Sequence, residues 1–253
     1  MLNGKKVPGG TWLKENDVIQ WVDPELTPPK PYHLQLTILY KDEDIALIYK
    51  PAGITVSGNQ FKTIQNALVY NLEKSTKADA LPWPLPVHRL DNPTSGLLLV
   101  ARTKAARIKL GQAFEAKQVN KKYHAVLIGK APESIKIDAP ISDKIAHSNL
   151  KRICVLPSLK NEFLSLVELE PVTGRTHQLR IHSAAIGHPI LGDKLYGTEG
   201  MILKHKGLFL SATFISFHHP ITGKYLEFST PPPEKFITRM KNENRRYLEK
   251  QNQ

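Results

Sequence analysis

Residues 87–100 read VHRLDNPTSGLLLV: a histidine, an arginine and an aspartate within four positions, a turn-prone NPTSG, then an unbroken aliphatic run. The run, extended by Ala101, is short and apolar on every position, the pattern of a strand buried on both faces. Asp91 is therefore predicted to stand where a turn meets the core. A carboxylate there loses part of its hydration, and its charge survives only if a cation or several donors compensate. An aspartate so compensated can act as nucleophile or general base, because its charge is available and little hydrated. The same residue can also do no more than cap the NPTSG turn.

Outward from this stretch the pattern mixes strands and helices. Before it, DIALIYKPAGITV (44–56) reads as strand, turn and strand, and TIQNALVYNLEKS (63–75) as a helix with Ile64, Leu68 and Leu72 on one face. After it, TKAARIKLGQAFEAK (103–117) reads as a helix capped by Thr103, with Ala106, Leu110 and Phe114 spaced by four. KKYHAVLIG (121–129) and FLSLVELE (163–170) alternate like strands, and RTHQLRIHSAAIG (175–187) is a helix stopping at Gly187. LFLSATFISF (208–217), the HPITG turn (219–223) and KYLEFST (224–230) make a hairpin. Three prolines at 231–233 then precede a last helix carrying Phe236, Met240 and Tyr247. Strands outnumber helices and several are hairpin-linked, which predicts an α+β fold around a mixed, largely antiparallel central sheet with flanking helices.

At the front, NGKKVPGGTWLKENDVIQWV (3–22) turns at Pro8-Gly9-Gly10 and ends in a strand-like DVIQWV. That is a hairpin's worth of chain, too small to fold alone. DPELTPPKPY (23–32), with four prolines, reads as a linker. The expected division is a small hairpin plus linker over residues 1–30 and one domain over 31–253.

The 253 residues carry 35 Lys and Arg against 23 Asp and Glu, a formal net charge of +12. Such an excess points to a polyanionic partner, since each neutralised phosphate releases counterions. No apolar run approaches the roughly 20 residues needed to span a bilayer, so no membrane helix is expected. The N-terminus lacks a signal-peptide pattern, and a single cysteine, Cys154, excludes an internal disulfide or a Cys-based zinc site. A cytoplasmic location is expected.

Two further segments hold chemistry. In VTGRTHQLRIHSAAIGHPILGDKLYG (172–197), His177 and Arg180 are three apart and share a helical face. Arg180, between Leu179 and Ile181, emerges from a half-buried surface. Its planar fork suits a buried carboxylate, both of whose oxygens it can bind. An ordinary solvated arginine fits the same pattern. His177, His182, His188 and Asp193 are metal-ligand types, but their spacing matches no metal motif such as H-E-x-x-H, and no metal is expected. In QVNKKYHAVLIG (118–129), Tyr123 follows Lys121 and Lys122: either a platform for an unstacked base among cations, or a core tyrosine.

Together these segments resemble the RluA-type pseudouridine synthases. HRLDNPTSGLLLVARTKAA (88–106) looks like the family's H-R-L-D-x-x-T-S-G-L-L-L signature, KKYHAVLIG like its K-x-Y-x-A segment, and DIALIYKPAGITV like its K-P-x-G opening. GRTHQLRIHSAAIGHPILGDKLYG (174–197) resembles its G-R-x-H-Q-L-R-x-H segment with the following G-H-P-I-x-G-D. The motifs stand in the family's order and cover roughly residues 40–230. The resemblance implies the family's fold with a catalytic cleft. It implies isomerisation of uridines in ribosomal or transfer RNA to pseudouridine, with no cofactor and no metal. Asp91 then corresponds to the essential aspartate, Tyr123 to the base-stacking tyrosine and Arg180 to the arginine that pairs with the aspartate. Arg89 is expected to fill the gap left by the flipped base. His88, Lys121, Lys122, Arg175 and His177 are expected at the RNA, although His88 can equally pack the turn. Leu210 is expected to line the pocket. Ser211 departs from the family, which commonly has histidine in an L-H-A triplet there. The N-terminal piece resembles only the last part of the small RNA-binding domain that many relatives carry. Other classes compatible with the residues are a silent RNA binder and a metal-assisted RNA hydrolase using the histidines. A monomer is expected.

Overall fold

The computed structural model describes residues 1–5, 7–8, 10–20, 28–197 and 207–252. Among them the elements run β1 (Thr37–Lys41), β2 (Ile45–Lys50), α1 (Ile64–Asn71), β3 (Ala80–Pro86), β4 (Ser95–Thr103), α2 (Lys104–Glu115), β5 (Asn120–Ile128), β6 (Ser134–Ile137), β7 (Ser148–Ser158), β8 (Glu162–Pro171), α3 (Gln178–Ala185), β9 (Leu210–His218), β10 (Tyr225–Ser229) and α4 (Glu234–Gln251). The aliphatic run after Asp91 is β4, and all nine of its residues are buried. Its side chains alternate between two cores. Leu98 and Val100 join Ala46 and Ile48 of β2 on one face, while Leu97, Leu99 and Ala101 join Ile45 and Leu47 on the other. Helix α1 covers the first face with Ile64, Ala67 and Leu68, and α2 covers the second with Ala106 and Leu110. The Thr103 side chain accepts from the Ala106 N–H and caps α2, as the sequence predicts.

The strands form a ten-stranded sheet in the order β1-β2-β4-β9-β5-β8-β7-β6, with β3 added to β4 and β10 to β9. Every pairing is antiparallel except β4 with β9, which run parallel over only two pairs, Ser95 with Ser211 and Gly96 with Ala212. This short joint places the site. Because the two strands start at the same end, the turn that precedes β4 lies beside Leu210, the first residue of β9. Strand β5 brings Tyr123 opposite Ala212. Gly96 makes the approach possible: at φ +121 it adopts a backbone that other residues resist, and a Cβ there would lie 2.1 Å from the Ala212 carbonyl oxygen.

Two expectations are corrected. Residues 54–56 form no strand; Thr55 makes one isolated bridge with Thr63. Both edges of β2 are already taken, by β1 and β4, so a returning strand has no place to pair. The helix expected over 175–187 begins at Gln178, with His177 at its N-cap in the left-handed region. Strands β1, β3, β6 and β7 carried no reading from the sequence. At the front, Leu2 bridges Lys5 and Ile19, so the chain doubles back on itself. Trp21, Val22 and linker residues 23–27 lie outside the described residues. No described helix is long and apolar enough to cross a membrane.

Candidate active site

Asp91 opens a tight turn, its carbonyl accepting from the Thr94 N–H at 3.0 Å. The turn is fastened by a residue that the sequence reading did not single out. Lys50, the last residue of β2, is fully buried, and its ammonium donates to the carbonyls of Pro51, Asn92 and Thr94 at 2.9, 3.1 and 2.7 Å. The Gly53 N–H adds a bond to the Asn92 carbonyl at 2.8 Å. The K-P-A-G turn and the aspartate turn are thus one fastened unit. Burial pushes Lys50 down to about 8, with Asp91 pulling the other way. The available signal was a lone lysine ending a buried apolar strand, a position where a charge must find partners.

The Asp91 side chain is 18% exposed, and a side-chain nitrogen faces each of its two oxygens. Arg180 Nη1 reaches Oδ2 at 3.4 Å, and His177 Nε2 stands 3.9 Å from Oδ1. The fork of Arg180 does not grip Asp91, as the sequence suggested it can. Its Nε and Nη2 donate instead to both oxygens of Asp193, at 2.7 and 2.8 Å. Asp193 also accepts from the N–H groups of Leu195 and Tyr196. Burial opposes the Asp193 charge, but the arginine and these donors outweigh it and hold the carboxyl below its usual range. Burial likewise opposes the Arg180 charge, and Asp193, then Asp91, more than restore it. The guanidinium also lies over the Tyr196 ring, 5.2 Å from its centroid. Bidentate pairing to a fully buried partner locks the arginine, and its third nitrogen is what remains for Asp91.

Around this centre opens a cleft of about 720 Å³, lined by Asp91, Tyr123 and Leu210 together with the basic residues Arg89, Lys117, Lys121, Arg175, His177 and Arg180. Tyr123 is nearly buried, and burial with the nearby Asp91 pushes its phenol up. Arg89 and Arg175 are exposed at the cleft, Arg175 donating from Nε to the Ile145 carbonyl at 3.0 Å. Lys121 lies over the Phe114 ring. Lys122, its neighbour on β5, is not in the cleft: strand alternation turns it to the other face, where it pairs with Glu168 at 3.1 Å. His88 forms part of the cleft wall. Its ring stacks on Phe114, its Nε2 accepts the Leu99 N–H at 3.0 Å, and burial, with Lys121, drives it down to about 3. Ser211 is buried, accepting from the Ser95 hydroxyl at 3.1 Å. Lys117, with a positive φ just after α2, was not foreseen.

The histidines weighed as metal ligands are otherwise engaged. His182 donates from Nε2 to the Ala139 carbonyl at 2.9 Å, leaving Nδ1 to accept from the Ser148 hydroxyl. His188 donates from Nδ1 to the Ile128 carbonyl at 3.0 Å. A separate group, Asp42, Asp44 and His219, brings ligand-type atoms together. There His219 Nδ1 accepts two backbone N–H bonds, so the proton sits on Nε2 and is donated to Asp42 at 3.0 Å. Lys77 holds both oxygens of Asp44 at 2.8 and 2.7 Å. These atoms satisfy one another as a structural network. The cleft, in contrast, presents a carboxylate with a single guanidinium contact among the described residues, in a lining where basic side chains outnumber acidic ones.

A family model described as RNA pseudouridylate synthase matches residues 44–185. A Bacillus subtilis protein described as an uncharacterized RNA pseudouridine synthase is 33% identical over 264 residues, covering 98% of this chain and 84% of the relative. The ribosomal large subunit pseudouridine synthase D of Pseudomonas aeruginosa is 34% identical over 233 residues, covering 81% and 70%. The solved structure of human RNA pseudouridylate synthase domain containing 1 superposes with a TM-score of 0.66 at 27% identity, covering 79% of this chain and 84% of that one.

Proposed function

Since this chain belongs to the RNA pseudouridylate synthase family, an RNA-modifying isomerase by descent, we propose that Asp91 carries its reaction and that its substrate is a uridine of ribosomal RNA. One observation carries the reading. Asp91 stands in a basic cleft on a turn fastened by Lys50, with a locked arginine behind it and Tyr123 beside it. The target uridine leaves its stack at a cost of a few kcal/mol and enters the cleft. Tyr123 supports the detached base, Arg89 takes the vacated place in the RNA, and Lys121 and Arg175 meet the backbone. The C1′–N1 bond breaks with its electron pair on the uracil, the base rotates, C1′–C5 forms, the C5 proton is released, and N1 takes up a proton, so that the product is an isomer of the uridine. Asp91 supplies the carboxylate for these steps, and Arg180 holds one of its oxygens through Nη1.

Ribosomal RNA is favoured over transfer RNA because several similar proteins are named for the large ribosomal subunit. Residues 31–253 make the catalytic unit and 1–30 an appendage, and we take the protein to act as a cytoplasmic monomer. The test is tritium release from RNA labelled at uridine C5, drawn from a strain lacking this gene. Wild type is expected to release label from ribosomal RNA, and Asp91→Asn to lose at least about a hundredfold of the rate. Release from transfer RNA alone would overturn the assigned substrate. Tight RNA binding without release by wild type would leave a silent binder.

A further inference from the structure

His177 was read from the sequence as an RNA contact, but its surroundings suit another task. Its backbone sits at φ +55, in the left-handed region that a non-glycine residue enters only when its surroundings hold it there. Its imidazole lines the cleft, where it is 26% exposed. Nδ1 lies 3.0 Å from the Tyr196 hydroxyl, and Nε2 faces Asp91 Oδ1 at 3.9 Å. The two ring nitrogens therefore face unlike groups. A carboxylate favours a proton on the nitrogen that faces it; the opposite tautomer sets a lone pair against its charge. The Tyr196 hydroxyl can donate to Nδ1 and so select the tautomer with Nε2–H toward Asp91. Tyr196 serves the other side of the carboxylate too, since its ring lies under Arg180 and its N–H donates to Asp193.

We propose that His177 is a positioning residue for Asp91: with its tautomer set by Tyr196, it holds Oδ1 while Arg180 holds Oδ2, fixing the carboxylate plane toward the substrate. The proposal rests on the reading of Asp91 as the reacting carboxylate. Arg180 alone, at 3.4 Å through one nitrogen, leaves the carboxylate free to rotate about its own axis. A second donor on the other oxygen removes that freedom, and reacting groups held out of line cost rate rather than affinity.

The test separates positioning from RNA contact. His177→Asn tolerates the left-handed backbone but cannot reach Asp91; His177→Gln keeps a donor near the place of Nε2. Under single-turnover conditions with saturating RNA, His177→Asn is expected to lose about ten- to a hundredfold in rate. Its RNA Kd and the salt dependence of binding should stay at the wild-type level, and His177→Gln should recover most of the rate. Tyr196→Phe, which keeps the ring under Arg180, should show a smaller loss that vanishes in the His177→Asn background, because the two act as one unit. A weakened Kd with an unchanged rate would overturn the proposal and return His177 to the RNA contacts. Nitrogen-15 NMR of the histidine ring reads the tautomer without turnover. Nε2–H in wild type, altered by Tyr196→Phe, is expected, and Nδ1–H would overturn the proposal. A wild type with no release from any RNA would instead strike at the isomerase reading, leaving the tautomer measurement to decide this one.

Discussion

Among single residues, Lys50 shows most directly how burial and charge shape this protein. Three carbonyls accept from its ammonium, two of them in the turn that carries Asp91. Lys50→Met is expected to destabilise the fold by about 1–3 kcal/mol, because buried acceptors lose their donor. The pH dependence follows from the lowered pKa. The folded state releases this proton near 8, whereas the unfolded chain holds it to its ordinary 10.5. Between these values the unfolded state binds more protons, so the wild type gains stability as pH rises from about 8 toward 10.5, relative to Lys50→Met. Denaturant melts of both proteins across that interval check the sign; a wild-type advantage that falls with pH would contradict it. Arg180 carries a related lesson. Its residue type rightly suggested a carboxylate partner, yet the fork went to Asp193, which the sequence offered only as a possible metal ligand.

At the scale of elements, the parallel joint of β4 and β9 is the critical feature. Gly96→Ala puts a methyl group against the Ala212 backbone and a side chain at φ +121. It should cost upwards of about 2 kcal/mol, from strain and the enforced separation of the strands. The measurement is the denaturation midpoint, together with loss of RNA-dependent tritium release; a fully stable, active Gly96→Ala would contradict this account of the joint. The elements missed or misplaced by the sequence share physical causes. Pro82, Pro84 and Pro86 argue against a strand, but β3 pairs along β4 alone and needs few of its own N–H groups. Strand β7 slips register between Arg152 and Cys154, a bulge that breaks the alternation by which a strand is read. Conversely, Ile54-Thr55-Val56 has strand-like residues and no free edge to join.

For the whole molecule, a formal charge of +12 becomes functional through its placement. Arg89 and Arg175 lie exposed at the cleft, whereas Lys122 is paired with Glu168 on the opposite face of β5. Binding of substrate RNA should therefore weaken with salt, and Lys121→Ala and Arg175→Ala should each reduce the logarithmic salt slope by about 0.7, the value for one phosphate contact on a single strand. Lys122→Ala should leave the slope unchanged. Filter-binding titrations across a salt series measure all three, and a slope lowered by Lys122→Ala would place RNA on that face as well.

The sequence by itself determined the local structure and the kinds of chemistry present. The apolar run after Asp91 and the capping Thr103 are written in residue type and spacing, because strand patterning and capping depend on nearby residues. The motifs around Asp91, Tyr123 and Arg180 also named the residues that meet in the cleft. Only the tertiary structure decided which partners those residues have. Asp193 holds Arg180, Lys50 fastens the aspartate turn, and His177 faces Asp91, all across long separations in the chain. Such pairings are set by how the sheet closes at the β4–β9 joint, and one-dimensional spacing holds no measure of that distance.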